Sequence, residues 1–222
     1  MADASDDFNR ANGALGANWT TFGSAPQIVS NTVRGTSGSN NRALYTAAAF
    51  EDDQYSEMEV RSTDSGHFQG VIVRGNAAAQ TGYVAYARQS AGNKVTLFIL
   101  TGGGEATGID GDEGAAGNWT VGDVVRLGIV GNQLTVYRNG TPVLGPTTDS
   151  NIASGTPGID LVNNNTSVGD NWLGGPIVEA GGSPEPSSRR MMQGRGGMTG
   201  GMQMKRSRGG VYVPEHRIMR VA

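Results

Sequence analysis

Along the first 180 residues, apolar and polar side chains alternate in short runs, and nowhere do apolar positions return at helical spacing over several turns. Glu57–Met58–Glu59–Val60–Arg61 alternates cleanly, which predicts a strand with Met58 and Val60 on its buried face. Gly70–Val71–Ile72–Val73–Arg74 and Tyr83–Val84–Ala85–Tyr86–Ala87 predict two more. The most apolar run, residues 94–100, reads as a central strand covered on both faces. Residues 124–130 and 134–138 are expected to pair across Gly131–Asn132. Asn139–Gly140 is the strongest hairpin signal, because a type I′ turn needs positive φ at both central positions. It leads into Thr141–Pro142–Val143–Leu144, and Pro142 has no N–H to donate, so that strand belongs at a sheet edge. Ala47–Ala48–Ala49 and Ala77–Ala78–Ala79 are too short to outweigh their surroundings as helices. The pattern predicts an all-β fold of two packed antiparallel sheets.

Composition divides the chain in two. Residues 1–180 carry 9 basic and 18 acidic side chains, whereas residues 181–222 carry 8 basic and 2 acidic ones and six of the eight methionines. The tail has no periodic apolar pattern and cannot build a core, so the expected organisation is a sandwich over 1–180 and an extended, non-globular arm over 181–222. Much of the glycine, 36 of 222 residues, marks turns in the first part and freedom in the second. With no cysteine, neither a disulfide framework nor a thiolate metal site is available. Residues 1–7 do not resemble a signal peptide and no apolar run reaches the ~18 residues of a membrane span, which gives the expectation of a soluble protein with no membrane partner.

Five stretches carry a family resemblance. Asp7–Phe8–Asn9–Arg10–Ala11–Asn12–Gly13 with Leu15, Gly16 and Trp19 resembles the opening strand of concanavalin A-like lectin/glucanase (LamG-like) jelly rolls. Residues 55–60, 119–127 and 131–140 fit the same pattern, and Gly169–Asp170–Asn171–Trp172 resembles the closing strand, which in such folds lies near the first. The resemblance covers about residues 6–178 and implies a concanavalin A-like sandwich. That sandwich carries lectins, glycosidases and inert structural modules alike, so it fixes no activity. Domains with this style of opening strand are found in virion proteins of tailed bacteriophages, and the resemblance implies a structural virion role.

The chemistry-bearing residues are sparse. Glycosidases of this fold place two or three carboxylates on one strand of the concave sheet, and the nearest match is Glu57 with Glu59, sharing a strand face at i and i+2. The third acid is missing, because Arg61, Ser62 and Thr63 follow, so the pair reads as an outward polar face and no catalytic residue is assigned. Asp110–Gly111–Asp112–Glu113–Gly114 offers oxygen atoms but lacks the EF-hand spacing, and no metal or other cofactor is expected. His67 and His216 are too far apart in sequence to suggest a pair, and no Gly-Lys-Ser/Thr follows Gly102–Gly103–Gly104 as a phosphate loop requires. Trp19 and Trp119 are the candidate glycan contacts, through stacking of a pyranose on an exposed ring, with core packing as the competing reading for both and for Trp172. The Asn163–Asn164–Asn165 loop adds polarity without naming a ligand.

Beyond a Gly/Ser/Pro linker, the arm presents Arg189, Arg190, Met191, Met192, Arg195, Met202, Met204, Lys205, Arg206, Arg208, Tyr212, Val213, Ile218 and Met219. Methionines fill irregular apolar pockets, arginines pair with carboxylates, and Val211–Tyr212–Val213 could add a strand to a sheet edge. Composition alone favours a disordered tail. With one tyrosine and no repeated Arg-Gly-Gly, nucleic acid is not the expected partner. The functional expectation is a non-enzymatic capsid decoration protein of a tailed phage, assembled in the host cytoplasm and anchored by this arm to major capsid protein or other virion proteins, in several copies or as a homo-oligomer. The alternative is a lectin-like tail or baseplate module that meets a surface glycan.

Overall fold

In the computed structural model, the described residues are 3–38, 40–63, 66, 68–88, 94–102, 104–112, 116–162 and 166–177. Among them there are sixteen strands and no helix. They are β1 (Ala4–Asp6), β2 (Gly13–Ala14), β3 (Trp19–Gly23), β4 (Gln27–Val29), β5 (Thr32–Arg34), β6 (Asn40–Tyr45), β7 (Gln54–Val60) and β8 (Phe68–Asn76). There follow β9 (Thr81–Arg88), β10 (Val95–Thr101), β11 (Gly104–Asp112), β12 (Val124–Val130), β13 (Gln133–Arg138), β14 (Thr141–Thr148), β15 (Thr156–Val162) and β16 (Val168–Pro176). Two antiparallel sheets form a jelly-roll sandwich. One runs β14-β13-β12-β7-β16-β5-β4-β2 with β1 also paired to β16, and the other runs β11-β10-β9-β8-β15-β6-β3.

Period-2 patterning places the core between the sheets. Met58, Val60, Val125, Leu127, Ile129, Leu134 and Val136 face inward from the nine-stranded sheet, against Val71, Val73, Tyr83, Ala85, Val95, Leu97, Ile159 and Leu161 from the other. All are closed to solvent, each large one stabilising the fold by about 1.5–3 kcal/mol. The hairpin over Asn139–Gly140 has the expected positive φ at both residues, +50° and +77°. Its second strand, β14, is an edge strand as Pro142 requires. Asp110 of β11, the edge of the other sheet, accepts a hydrogen bond from Thr147 of β14, so two edges are tied together. Ala77–Ala79 lie in the β8–β9 turn.

Two expectations are corrected. Residues 94–100 do form a strand, β10, but it stands one strand in from an edge; its coverage comes from a second apolar layer on the far face of the sheet. Residues 7–13 do not form the opening strand. The chain enters as β1, and Asp6 and Asp7 then each accept a hydrogen bond from the backbone N–H two residues on, Phe8 (2.8 Å) and Asn9 (3.0 Å). These Asx turns bend the chain and hold Phe8 at φ +52° with its ring buried in the core. The closing strand lies beside the first as the resemblance implied, with Ser5 opposite Leu173. The arm and its fourteen candidate residues from Arg189 to Met219 lie outside the described residues, as do His67 and the 163–165 loop.

Loops at one end of the sandwich are held by one buried cation. A register shift between Val73 and Asn76 turns Arg74 out of the β8 ladder at φ +49°. Its guanidinium donates to the carbonyls of Asp52 (3.0 Å), Ile152 (2.9 Å) and Gly131 (2.7 Å).

Candidate functional site

The cleft is built on a row of outward side chains. Strand register sets Ser5, Leu173, Glu57 and Arg126 side by side across β1, β16, β7 and β12. On this face, residues of β1 and of the segment after it border an open cleft of about 750 Å³, lined among others by Asp6, Asp7, Arg10, Asn18, Glu57, Asn171 and Leu173. That volume falls within the range of small-ligand sites.

Asp6 organises the wall. Its carboxylate accepts from the Phe8 N–H, from Arg10 Nη1 (2.6 Å) and Nη2 (3.0 Å), and from Trp19 Nε1 (2.7 Å). Burial works to raise its pKa, but the bonds from Arg10, Trp19 and Phe8 outweigh it and hold the carboxyl below the usual range. Arg10 Nη2 also donates to the Leu15 carbonyl at 2.6 Å, which draws the 15–18 segment toward β1. On the other side, the β16 register breaks between Asp170 and Leu173, and Asn171 takes φ +50°. This bulge aims the Asn171 carboxamide outward, where Nδ2 donates to Glu59 Oε2 at 2.7 Å. Asp170 is raised above the ordinary aspartate range, by burial first and then by the charges of Glu59 and Asp7, against the Asn171 N–H and Arg61. The cleft thus combines carboxylates, carboxamides and one guanidinium, the groups that hydrogen-bond vicinal hydroxyls, over the aliphatic surface of Leu173.

A second polar group lies on the far face of the seven-stranded sheet. Arg42 Nε and Tyr86 Oη both donate to Asp160 Oδ2, each at 2.6 Å, among Phe22, Leu44, Ile72, Val84 and Leu100. Phe68, Tyr86 and Phe98 form an aromatic row across three strands, with neighbouring centroids 6.1 and 6.0 Å apart. Tyr86 lies over Gly70, where a Cβ would stand 2.6 Å from the ring. Arg42 and Asp160 are fully buried, so this network ties β6, β9 and β15 together without offering its charges to a ligand.

The candidate tryptophans are not stacking platforms. Trp19 is 6% exposed and Trp119 2%. Trp19 sits edge-on to Tyr45 and Trp172 at 5.3 and 4.8 Å, while Trp119 donates to the Lys94 carbonyl and has Arg138 over its ring. Large aromatic area and a satisfied N–H put both in the core. Glu57 and Glu59 lie on the outward face opposite Met58 and Val60 as expected. Each is ion-paired, Glu57 to Arg126 and Glu59 to Arg61, both at 2.8 Å. Among the described residues no group of three or more acidic or histidine side chains is arranged to hold a metal ion. Reading 7–13 as a strand hid Asp6, Asp7, Arg10 and Asn18 as site residues, and the unannounced bulge in β16 hid Asn171. The signal that finds the first two is the Asp-Asp pair before a change of direction, since aspartate caps the N–H two residues on.

No protein-family model matches the chain, and neither does any curated protein. Solved structures do. The carbohydrate-binding module CBM66 from Bacillus subtilis superposes with a TM-score of 0.55 at 19% identity, over 69% of this chain and 91% of that one. The exoplasmic/lumenal domain of VIP36, in its Ca²⁺/Man-bound form, gives 0.52 at 12% identity, over 73% and 84%. A GH43 protein from Bacillus licheniformis gives 0.55 at 12% identity over 78% of this chain, but the match spans only 39% of that protein. At these identities the likeness is one of fold: a galectin-like or concanavalin A-like jelly roll of the kind found in carbohydrate-binding domains.

Proposed function

We propose that residues 3–177 form a non-catalytic carbohydrate-binding module whose saccharide lies in the cleft between the Asp6–Asn18 segment and the outer face of β16. The observation that carries this reading is the pre-set polar lining: Asp6, Arg10 and Asn171 are fixed by hydrogen bonds within the protein, so binding orders few side chains. The likeness to sugar-binding jelly rolls supports it at the level of fold. Hydrolysis is not proposed, because Glu57 and Glu59 are each ion-paired, to Arg126 and Arg61, and the third acid of the glycosidase pattern is missing after Glu59.

A glycan array probed with the full chain, followed by calorimetric titration of the best binder, tests the proposal. Saturable binding that falls about tenfold or more in Asn18→Ala and Asn171→Ala, with the fold intact, is the expected result. Absence of saccharide binding at millimolar concentration, or binding untouched by either substitution, overturns it. Anchoring in a virion, with capsid proteins as partners, rests on the arm at 189–219 and on the sequence resemblance alone. Co-purification with particles, lost when residues 181–222 are removed, would restore that reading.

A further inference from the structure

We infer that the cleft selects by charge, taking neutral or amino saccharides and rejecting acidic ones such as uronic acids, with Asp7 as the residue that sets this preference; the inference rests on the proposed saccharide site. Three carboxylates, Asp6, Asp7 and Glu57, line the cleft against one guanidinium, Arg10. The hydrogen-bond pattern decides how much of that charge a ligand meets. Arg10 already spends both terminal nitrogens, on the two Asp6 oxygens and the Leu15 carbonyl. Arginine recognises a carboxylate through a free two-pronged edge, and this edge is taken. Glu57 is neutralised from the β12 side by Arg126. Asp7 differs: it is exposed, forms no ion pair among the described residues, and its carboxylate caps only the Asn9 N–H. Its charge acts on Asp170, raising that group, and on Arg10. An ammonium group entering the cleft therefore meets an open carboxylate, while a sugar carboxylate meets like charge and no available cation.

The test uses the full chain and matched oligosaccharides of one length: a glucose oligomer, a glucosamine oligomer and a glucuronic acid oligomer, titrated at low and at physiological salt. The glucosamine form is expected to bind at least as tightly as the glucose form, and the glucuronic form about tenfold more weakly at low salt, the gap narrowing as salt is added. Asp7→Asn keeps an oxygen for the Asn9 N–H, and should shrink the ratio of affinities between the charged forms at least threefold, whatever its effect on the neutral oligomer. Asp7→Lys should reverse the order. Equal binding of all three forms, or an order unmoved by both substitutions, overturns charge selection and leaves the saccharide site standing. Failure of every oligomer to bind overturns charge selection among these sugars, and with no binder on the glycan array it removes both.

Discussion

Replacing Asp6 by alanine tests whether one carboxylate holds the wall of the cleft. Three donors lose their acceptor. The Trp19 indole, 6% exposed, is left with an N–H pointing at an emptied site; losing an ionised partner there costs about 1.5–3 kcal/mol. The Phe8 N–H, which keeps that residue at φ +52°, adds about 1 kcal/mol. The Arg10 pair adds only about 0–1 kcal/mol, since the Arg10 side chain is 39% exposed and screened. The total of about 2.5–5 kcal/mol should be read by urea unfolding followed through tryptophan fluorescence. With a slope of about 2 kcal/mol per molar, the midpoint should fall by roughly 1.2–2.5 M. Saccharide affinity should fall with it. Because the carboxyl is held below its unfolded-state pKa, its contribution is full above about pH 4 and fades on acidification, so wild type and variant should converge toward low pH. A loss below about 1 kcal/mol would refute the reasoning, showing that water replaces the carboxylate at no cost.

Four further outcomes are expected. Arg74→Met removes three bonds to carbonyls and should lower the melting temperature by about 6–12 °C in scanning calorimetry, for a loss of about 3 kcal/mol. Asp123 is held at about 2, where bonds from the Thr120 N–H, Arg138 and Asn139 overcome its burial; its stabilisation is present above about pH 4 and lost as pH falls toward 2, and Asp123→Asn should flatten stability-against-pH curves in that window. Gly70→Val should destabilise the fold by about 1–3 kcal/mol in urea unfolding, since the new side chain would meet the Tyr86 ring. Purified protein should release no reducing sugar from bound oligosaccharides, and hydrolysis abolished by the double change Glu57→Gln, Glu59→Gln would contradict the non-catalytic reading.

The strands best read from sequence were those with one face in the core and clear punctuation. Met58 and Val60 against Glu57 and Glu59 fixed the faces of β7, and Asn139–Gly140 set the pairing of β13 with β14 next to the turn, Arg138 with Thr141 and Tyr137 with Pro142. Short pieces such as β2 and β4 escaped because two or three residues carry no period, and their pairing is decided by neighbours far along the chain. The aromatic far face of the seven-stranded sheet erased alternation in β9 and β10, where Tyr83 and Val84 are buried on opposite sides. Of the cleft, the closing strand was legible through Gly169–Trp172, yet the bulge that aims Asn171 outward was not, since nothing in Asp-Asn-Trp announces an extra residue. Trp19 and Trp119 matched the residue type a sugar site uses. Burial, which depends on the whole sandwich, decided against them.

The pairing of β1 with β16 brings Ala4 opposite Gly174, so the first strand begins at the end of the sandwich where the last one finishes. A pull applied at Asp3 and Ile177 would peel these two strands apart from that shared end, one hydrogen-bonded rung after another, instead of shearing all rungs at once. Ser5, Asp6 and Leu173 lie along the same seam and also line the cleft. Traction at Asp3 and Ile177 would therefore be felt first by groups of the proposed saccharide site, and if that site holds a sugar, its hold should slacken under force before the rest of the fold yields.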